Sequence, residues 1–328
     1  MRILVVVPAI TAIHFTDPAC PWAYSARPAH ARLRWRFGAQ IDWQLVLIGL
    51  SESAEAYEAR GYTPERLLNT QHRFSARFGM PYSFELKPRM SATARACRAI
   101  VAARELDPAL GEAALRALQL MHFTTAGLLD DHADLRAALA TVPGLDADAI
   151  VSRIDDPEVV AAYEADRSRA RSAEGSPTHA QDRFSTSDGP VRYTAPSVIF
   201  EHEGGGRLEV GGFQPFEAYD TAIANLDVAL ERRPAPTSAL EALSAFGEGL
   251  TTAELASVMR PSDLVDADLE ATTAELAELA AAGTVVREAA GTDAVWRAAD
   301  AAPRREAVTA PAGGEAESAA AGSGQQQH

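Results

Sequence analysis

Between Ile10 and Leu50 the chain passes through an apolar, β-prone stretch and a turn punctuated by Pro18 and Pro21. A helical pattern from Trp22 to Phe37, closed by Gly38, leads into a second apolar run, "IDWQLVLIGL". A strand this apolar has to be covered on both faces, and a helix between two such strands makes them parallel neighbours joined by a right-handed crossover. This β-α-β opening restricts the fold more than any other feature of the sequence. From Pro64 to about Arg171 the text is then helical, with apolar residues at three-and-four spacing over Ser91 to Glu105, Pro108 to Phe123, His132 to Ala140 and Asp156 to Arg171. Strand patterns return only at Ser197 to Phe200 and Arg207 to Val210, either side of a glycine turn, and Pro215 to Glu231 reads as a closing helix.

A β-α-β unit, a helical block and a β-β-α unit, in that order, define an α/β thioredoxin-like fold with an inserted all-α subdomain. The expected division is a thioredoxin domain over 1–232 with its insertion at about 60–180, and a linker at 233–237 marked by "RPAP". A small α+β domain then spans 238–300. In that last part three helical patterns precede a Gly283 cap and a short hairpin, the order of a winged helix. Residues 301–328 are rich in Ala, Gly, Glu and Gln and are expected to be disordered. A length of 328 residues with 47% apolar content suits two domains.

Composition excludes several function classes. The net charge is −15, which disfavours nucleic acid or an anionic membrane surface as the main partner. Charge also decides against DNA binding by the winged-helix-like part, where Arg260, Arg287 and Arg297 face twelve acids. Packing against the thioredoxin domain, or formation of a homodimer, is the expected use of that part. No stretch approaches the eighteen apolar residues of a membrane span, and "MRILVVVPAITAIHF" lacks a small-residue cleavage site, so a soluble, cytoplasmic protein is expected. Cys20 and Cys97 form neither a disulfide framework nor a zinc motif, and the histidines have no ligand spacing, so no metal is expected. "EGGGRLEVGG" lacks the Lys-Ser/Thr and helix start of a phosphate loop.

Cys20 stands where the first strand gives way to the first helix. A helix start offers unpaired N–H groups and partial positive charge, both of which favour a thiolate, and cysteines so placed have pKa values of roughly 3.5–7.5. Pro21 fits the first helical position, where a missing N–H costs nothing. Taken alone, Cys20 could be a small buried hydrophobe. "YTAPSVIF" adds support, because a proline just before the third core strand is the expected place for a cis peptide that leaves the preceding backbone free to pair with a ligand.

"FTDPACPWAY", the long helical insertion, "SATARACRAIVAAREL" and "TAPSVIF" together resemble the DsbA-like thiol:disulfide oxidoreductases, in particular the cytoplasmic branch of FrnE-like proteins and mycothiol-dependent reductases. The likeness runs from about Ile10 to Glu231. It implies a nucleophilic Cys20 and a cis-proline loop at Ala195 and Pro196. Pro21, Trp22 and Tyr24, next to the cysteine, are expected to wall the substrate site, with core packing the alternative for Trp22 and above all for Tyr24. The sequence departs from the dithiol pattern at Ala23, where such enzymes have the resolving cysteine, so single-thiol chemistry is expected. No cofactor would then be tightly bound, and a low-molecular-weight thiol, mycothiol or glutathione, would act as cosubstrate against a disulfide or other electrophile. Cys97, inside a helical pattern, is expected to be buried and inert, with a resolving thiol packed over the active site as the alternative reading. Two alternatives stay open: an enzyme like the kappa-class glutathione transferases and hydroxychromene-carboxylate isomerases, in which bound thiol is the nucleophile, or a non-catalytic thiol-binding or redox-sensing protein.

Overall fold

The computed structural model describes residues 8–300, so the expected disordered tail at 301–328 lies outside the described residues. The chain opens with β1 (Ile10–Thr16), α1 (Pro21–Ser25), α2 (Arg27–Phe37) and β2 (Ile41–Leu47). The helical block comprises α3 (Ala54–Ala59), α4 (Pro64–Phe78), α5 (Ala94–Leu106), α6 (Pro108–Thr124), α7 (His132–Leu139), α8 (Ala147–Arg153), α9 (Pro157–Ala170) and α10 (Pro177–Ala180). A two-residue pair, β3 (Phe184–Ser185) and β4 (Arg192–Tyr193), leads into β5 (Ser197–His202), β6 (Arg207–Val210) and α11 (Phe216–Leu226). After the linker come α12 (Ala239–Ala245), β7 (Leu250–Thr251), α13 (Thr252–Met259), α14 (Leu269–Ala281), β8 (Val285–Ala290) and β9 (Asp293–Ala298).

The central sheet has the order β2-β1-β5-β6. β1 pairs with β2 in parallel, Ile10 opposite Ile41, and with β5 antiparallel, Ile10 opposite His202, so the first strand of the sequence is an inner strand of the sheet. Its two faces have different covers. Ile10 and Ala12 join Leu33, Phe37, Phe216 and Ile223 beneath α2 and α11, while Ile13 and Phe15 join Cys20, Val46, Tyr193 and Ala195 on the opposite side. Leu45 and Leu47 of β2 carry the helical insertion, sharing a core with Ile100, Leu118, Leu139 and Ile150. This is the thioredoxin-like fold with an all-α insertion that the order of elements implied.

The single helix expected over Trp22 to Phe37 is instead two, meeting at Ala26. Pro28 explains the break: a proline inside the helix would lack the N–H owed to the Tyr24 carbonyl, and its ring would crowd that carbonyl. The second strand stops at Leu47 rather than Leu50. Gly49 turns the chain there with φ of 64°, and a side chain at that position would strike the Tyr163 hydroxyl.

The segment after the linker packs its three helices on a sheet of order β7-β9-β8. It shares a core with the outer face of α2, where Ala31 and Trp35 meet Leu243, Leu255 and Trp296. Its electrostatic anchor is Glu254. This side chain is buried and completes a capping box with Thr251, and it also takes two hydrogen bonds from Arg116, at 2.6 and 2.9 Å, and one from Arg27 at 2.8 Å. Burial alone would raise its pKa, but the charges of Arg116 and Arg27 prevail and hold it at about 2.

Replacing Glu254 by Ala leaves two arginines without their carboxylate inside the protein, and it is expected to cost about 3–5 kcal/mol of unfolding free energy in urea titrations at neutral pH. The native pKa lies below the usual glutamate value, so the stabilisation by Glu254 is complete above about pH 4.3 and fades as pH falls through about 2. The gap between wild type and Glu254→Ala should therefore narrow over that acidic range; a gap that stays constant would remove the ion cluster as its cause.

Candidate active site

β1 ends at Thr16, and Asp17 with the three residues after it swings the chain out of the sheet and into α1. Asp17 fixes this turn from within. Its fully buried carboxylate accepts from the backbone N–H of Ala19 and of Leu50, each at 2.9 Å, so the exits of β1 and β2 hang on one side chain. Burial raises the Asp17 pKa, and the two backbone N–H groups and Thr93 moderate the rise.

Cys20 is the N-cap of α1, with Pro21 in the first turn. Its sulfur is buried among Ile13, Phe15 and Ala195, and Sγ donates to the Ala195 carbonyl oxygen at 3.1 Å. The Ala195–Pro196 peptide is cis, as its place before β5 led one to expect, and both residues are buried beside the sulfur. The electrostatics overturn the expected lowered pKa. Burial drives the thiol up, the Asp17 charge pushes in the same direction, and the N–H groups of Ala23 and Trp22 offset only part of this, leaving Cys20 at about 11. The helix-start donors are present, but desolvation outweighs them.

A cavity of about 500 Å³ opens beside Cys20. Cys20, Pro21 and Trp22 all line it. Trp22 is 40% exposed and sets its ring edge against Phe74 at 4.7 Å between centroids, with Phe78 and Phe213 beyond, so the insertion's helix α4 forms the facing wall. Tyr24 does not reach the cavity, contrary to expectation. Its ring is fully buried and stacks on Phe123 at 4.6 Å, and its hydroxyl donates to the Pro81 carbonyl at 2.9 Å, so its polar end is satisfied inside the core. Ala195 and Pro196 bear on the sulfur rather than on the cavity. Cys97 is fully buried in α5 with its Sγ turned to Asp17 Oδ2 at 3.7 Å, and burial first, then Asp17, lifts its thiol well above the ordinary range.

Inspection of the sequence missed four lining cations: Arg66, Arg73 and Arg77 of α4, and Lys87 on the loop after it. Their signal was the seven- and four-residue spacing of the arginines, which puts them on one face of the helix. His122 also lines the cavity and is buried, which drives its pKa well below the ordinary value and leaves it neutral. Among the described residues no group of three or more His, Cys, Asp or Glu could hold a metal ion, and no helix is long and apolar enough to cross a membrane.

A cysteine at the β1-α1 junction, a cis-proline loop touching its sulfur and a helical block inserted before β5 are features of one protein class. The model of the DSBA-like thioredoxin domain matches residues 11–184, and the chain belongs to that family of thiol-dependent oxidoreductases. Among solved structures, a protein from Nitrosomonas europaea described as a protein disulfide isomerase is 20% identical with a TM-score of 0.51, over 66% of this chain and 96% of that one. The cytosolic disulfide reductase DsbM from Pseudomonas aeruginosa is also 20% identical with a TM-score of 0.46, over 66% of this chain and all of its own. No curated protein matches the chain.

The thiol environments predict how native protein reacts with iodoacetamide. Peptide mass spectrometry should find Cys20 labelled and Cys97 untouched, with the Cys20 rate climbing about tenfold per pH unit between pH 7 and 10. A rate that levels off below pH 8 would contradict the raised thiol.

Proposed function

We propose that this chain is a cytoplasmic, single-thiol DsbA-like reductase that works with a low-molecular-weight thiol, glutathione or mycothiol, and needs no bound cofactor. The supporting observation is the pair of positions a resolving thiol could occupy: Ala23, three residues beyond Cys20, has none, and the Cys97 thiol is enclosed and engaged with Asp17. The chemistry follows from that arrangement. Cys20, having given up its thiol proton to solvent, attacks one sulfur of a substrate disulfide, forms a mixed disulfide and expels the other sulfur as a thiolate, which takes up a proton. The small thiol, as its thiolate, then attacks the substrate-derived sulfur. A new disulfide leaves with that sulfur, and the Cys20 thiolate is regenerated and reprotonated. Trp22 and the wall of α4 hold the substrate's apolar part, and the Ala195 carbonyl accepts the Sγ–H of the resting thiol.

The thiol pushed up to about 11 favours a second reading, in which a bound small thiol is the nucleophile and Cys20 only lines its site. The segment over 238–300, read as winged-helix-like, serves in either case as a brace for α2 and α6 through Glu254 and is not assigned to nucleic acid.

Cys20→Ser separates the two readings. Reduced wild-type protein incubated with oxidised glutathione or oxidised mycothiol should gain one adduct by intact mass, and Cys20→Ser none, with loss of turnover; turnover kept by Cys20→Ser would support the bound-thiol reading. Ala23→Cys tests the local geometry, because a thiol one helical turn beyond Cys20 can resolve its mixed disulfide. That variant is expected to reduce insulin disulfides at a rate the parent does not reach, and failure to do so would put the assigned site geometry in doubt.

A further inference from the structure

The cavity beside Cys20 is cationic in an acidic protein. Its lining contains Arg66, Arg73, Arg77 and Lys87 and no aspartate or glutamate, although the whole chain carries a net charge of −15. Most of the described arginines make an ion pair with a carboxylate, such as Arg104 with Asp166, Arg153 with Glu105 and Arg116 with Glu254. Among the described residues none of the four cavity cations has a carboxylate at ion-pair distance.

The partners these four do have hold them in place without neutralising them. Arg66 donates through Nη1 to the Gly61 carbonyl at 3.0 Å and lies over the Tyr62 ring. Arg77 lies over Phe78, and Arg73 reaches only the Thr70 hydroxyl, at 3.4 Å. Lys87, the chain's only lysine, is buried, and its Nζ donates to the Thr125 and Gly127 carbonyls. Each guanidinium therefore keeps donors free for a planar, bidentate acceptor, next to the apolar wall of Trp22, Phe74 and Phe78. A cleft with low-dielectric walls and one sign of charge concentrates the opposite sign.

The spread of the cations indicates the shape of the anion. Residues 66, 73 and 77 lie within about 40° of one another around the helix, and the first and last are separated by about 16 Å along its axis at 1.5 Å per residue. Arg73 and Arg77, one turn apart, can share one anionic group, and Arg66, three turns from Arg77, is placed for a second, so two carboxylates carried at separate ends of a small molecule would each meet a guanidinium.

We propose that this cavity selects small thiols and disulfides bearing carboxylates, with Arg66, Arg73, Arg77 and Lys87 binding the anionic ends while the sulfur reaches Cys20. The proposal rests on the reading of the cavity as the thiol-substrate site and deepens it: it favours a dicarboxylate tripeptide thiol of the glutathione type over the uncharged sugar thiol mycothiol.

The first test uses S-methylglutathione, which binds without reacting, and its diethyl ester, titrated calorimetrically into the full-length Cys20→Ser protein. The acid is expected to bind at least about tenfold more tightly than the ester, and about 0.5 M sodium chloride should erase most of the difference. Arg73→Ala combined with Arg77→Ala should bring acid and ester to similar affinity, whereas Arg287→Ala, exposed on β8 and outside the cavity lining, should keep the preference. Equal affinity for acid and ester in the parent would overturn the inference whatever Cys20 does. The second test compares the rates at which 3,3′-dithiodipropionate, 2-hydroxyethyl disulfide and cystamine form the Cys20 adduct, expected to fall in that order. If all three react equally, anion selection is refuted and the single-thiol reading stands. If none reacts while S-methylglutathione still binds with the expected preference, the single-thiol reading fails and the anion site stands.

Discussion

A single buried carboxylate organises the reactive end of this molecule. Asp17 has left water entirely, and a charge in that position is tolerable only because polar hydrogens converge on it from the turn before Cys20, from the exit of β2 and from the start of α5. Those segments belong to the sheet and to the inserted helices respectively. The same side chain that shapes the nucleophile's turn therefore joins the two parts of the fold. Burial holds both cysteines as thiols, and the neighbouring Asp17 pushes each of them the same way.

The parts of this architecture visible in the sequence were those set by local rules. The apolar runs at Ile10 and Ile41 had to be parallel neighbours, the first of them inside the sheet and the second at its edge, Cys20 followed by Pro21 had to open a helix, and Pro196 just before β5 marked the loop at the sulfur. What could not be read depended on depth and neighbours. The donors at the start of α1 argued for an acidic thiol, yet the desolvation that reverses the shift comes from residues as distant as Ala195 and Tyr193. Trp22 and Tyr24 differ little as letters. One faces a cavity and the other a core only because α4 and α6 come down on different sides of a five-residue helix. Pro28 was legible in principle, since a proline at that point cannot continue the helix begun at Pro21.

The cations of α4 escaped notice for a related reason. Arginines on a helix usually mark a solvated face, and these three are exposed; the opposing wall built by Trp22 and Lys87 makes their face one side of a cavity. The acidic character of the last third was legible as a bulk property, but bulk charge treats every acid alike. Glu254 is the exception, a capping-box residue drawn into the interior by arginines from two other segments.

That ion cluster also has a meaning in time. Arg27 and Glu254 are 227 residues apart, and Arg116 and Glu254 are 138 apart. At a synthesis rate of about 5–20 residues per second, Arg27 waits roughly 10–45 s for its partner to be made. Until then α2 and α6 carry charges that their final packing would bury unpaired. The thioredoxin part of the nascent chain can assemble its sheet during that interval, but it cannot close the side that α2 and α6 share until nearly all of the sequence has left the ribosome. The C-terminal segment thus sets the moment at which the oxidoreductase is complete.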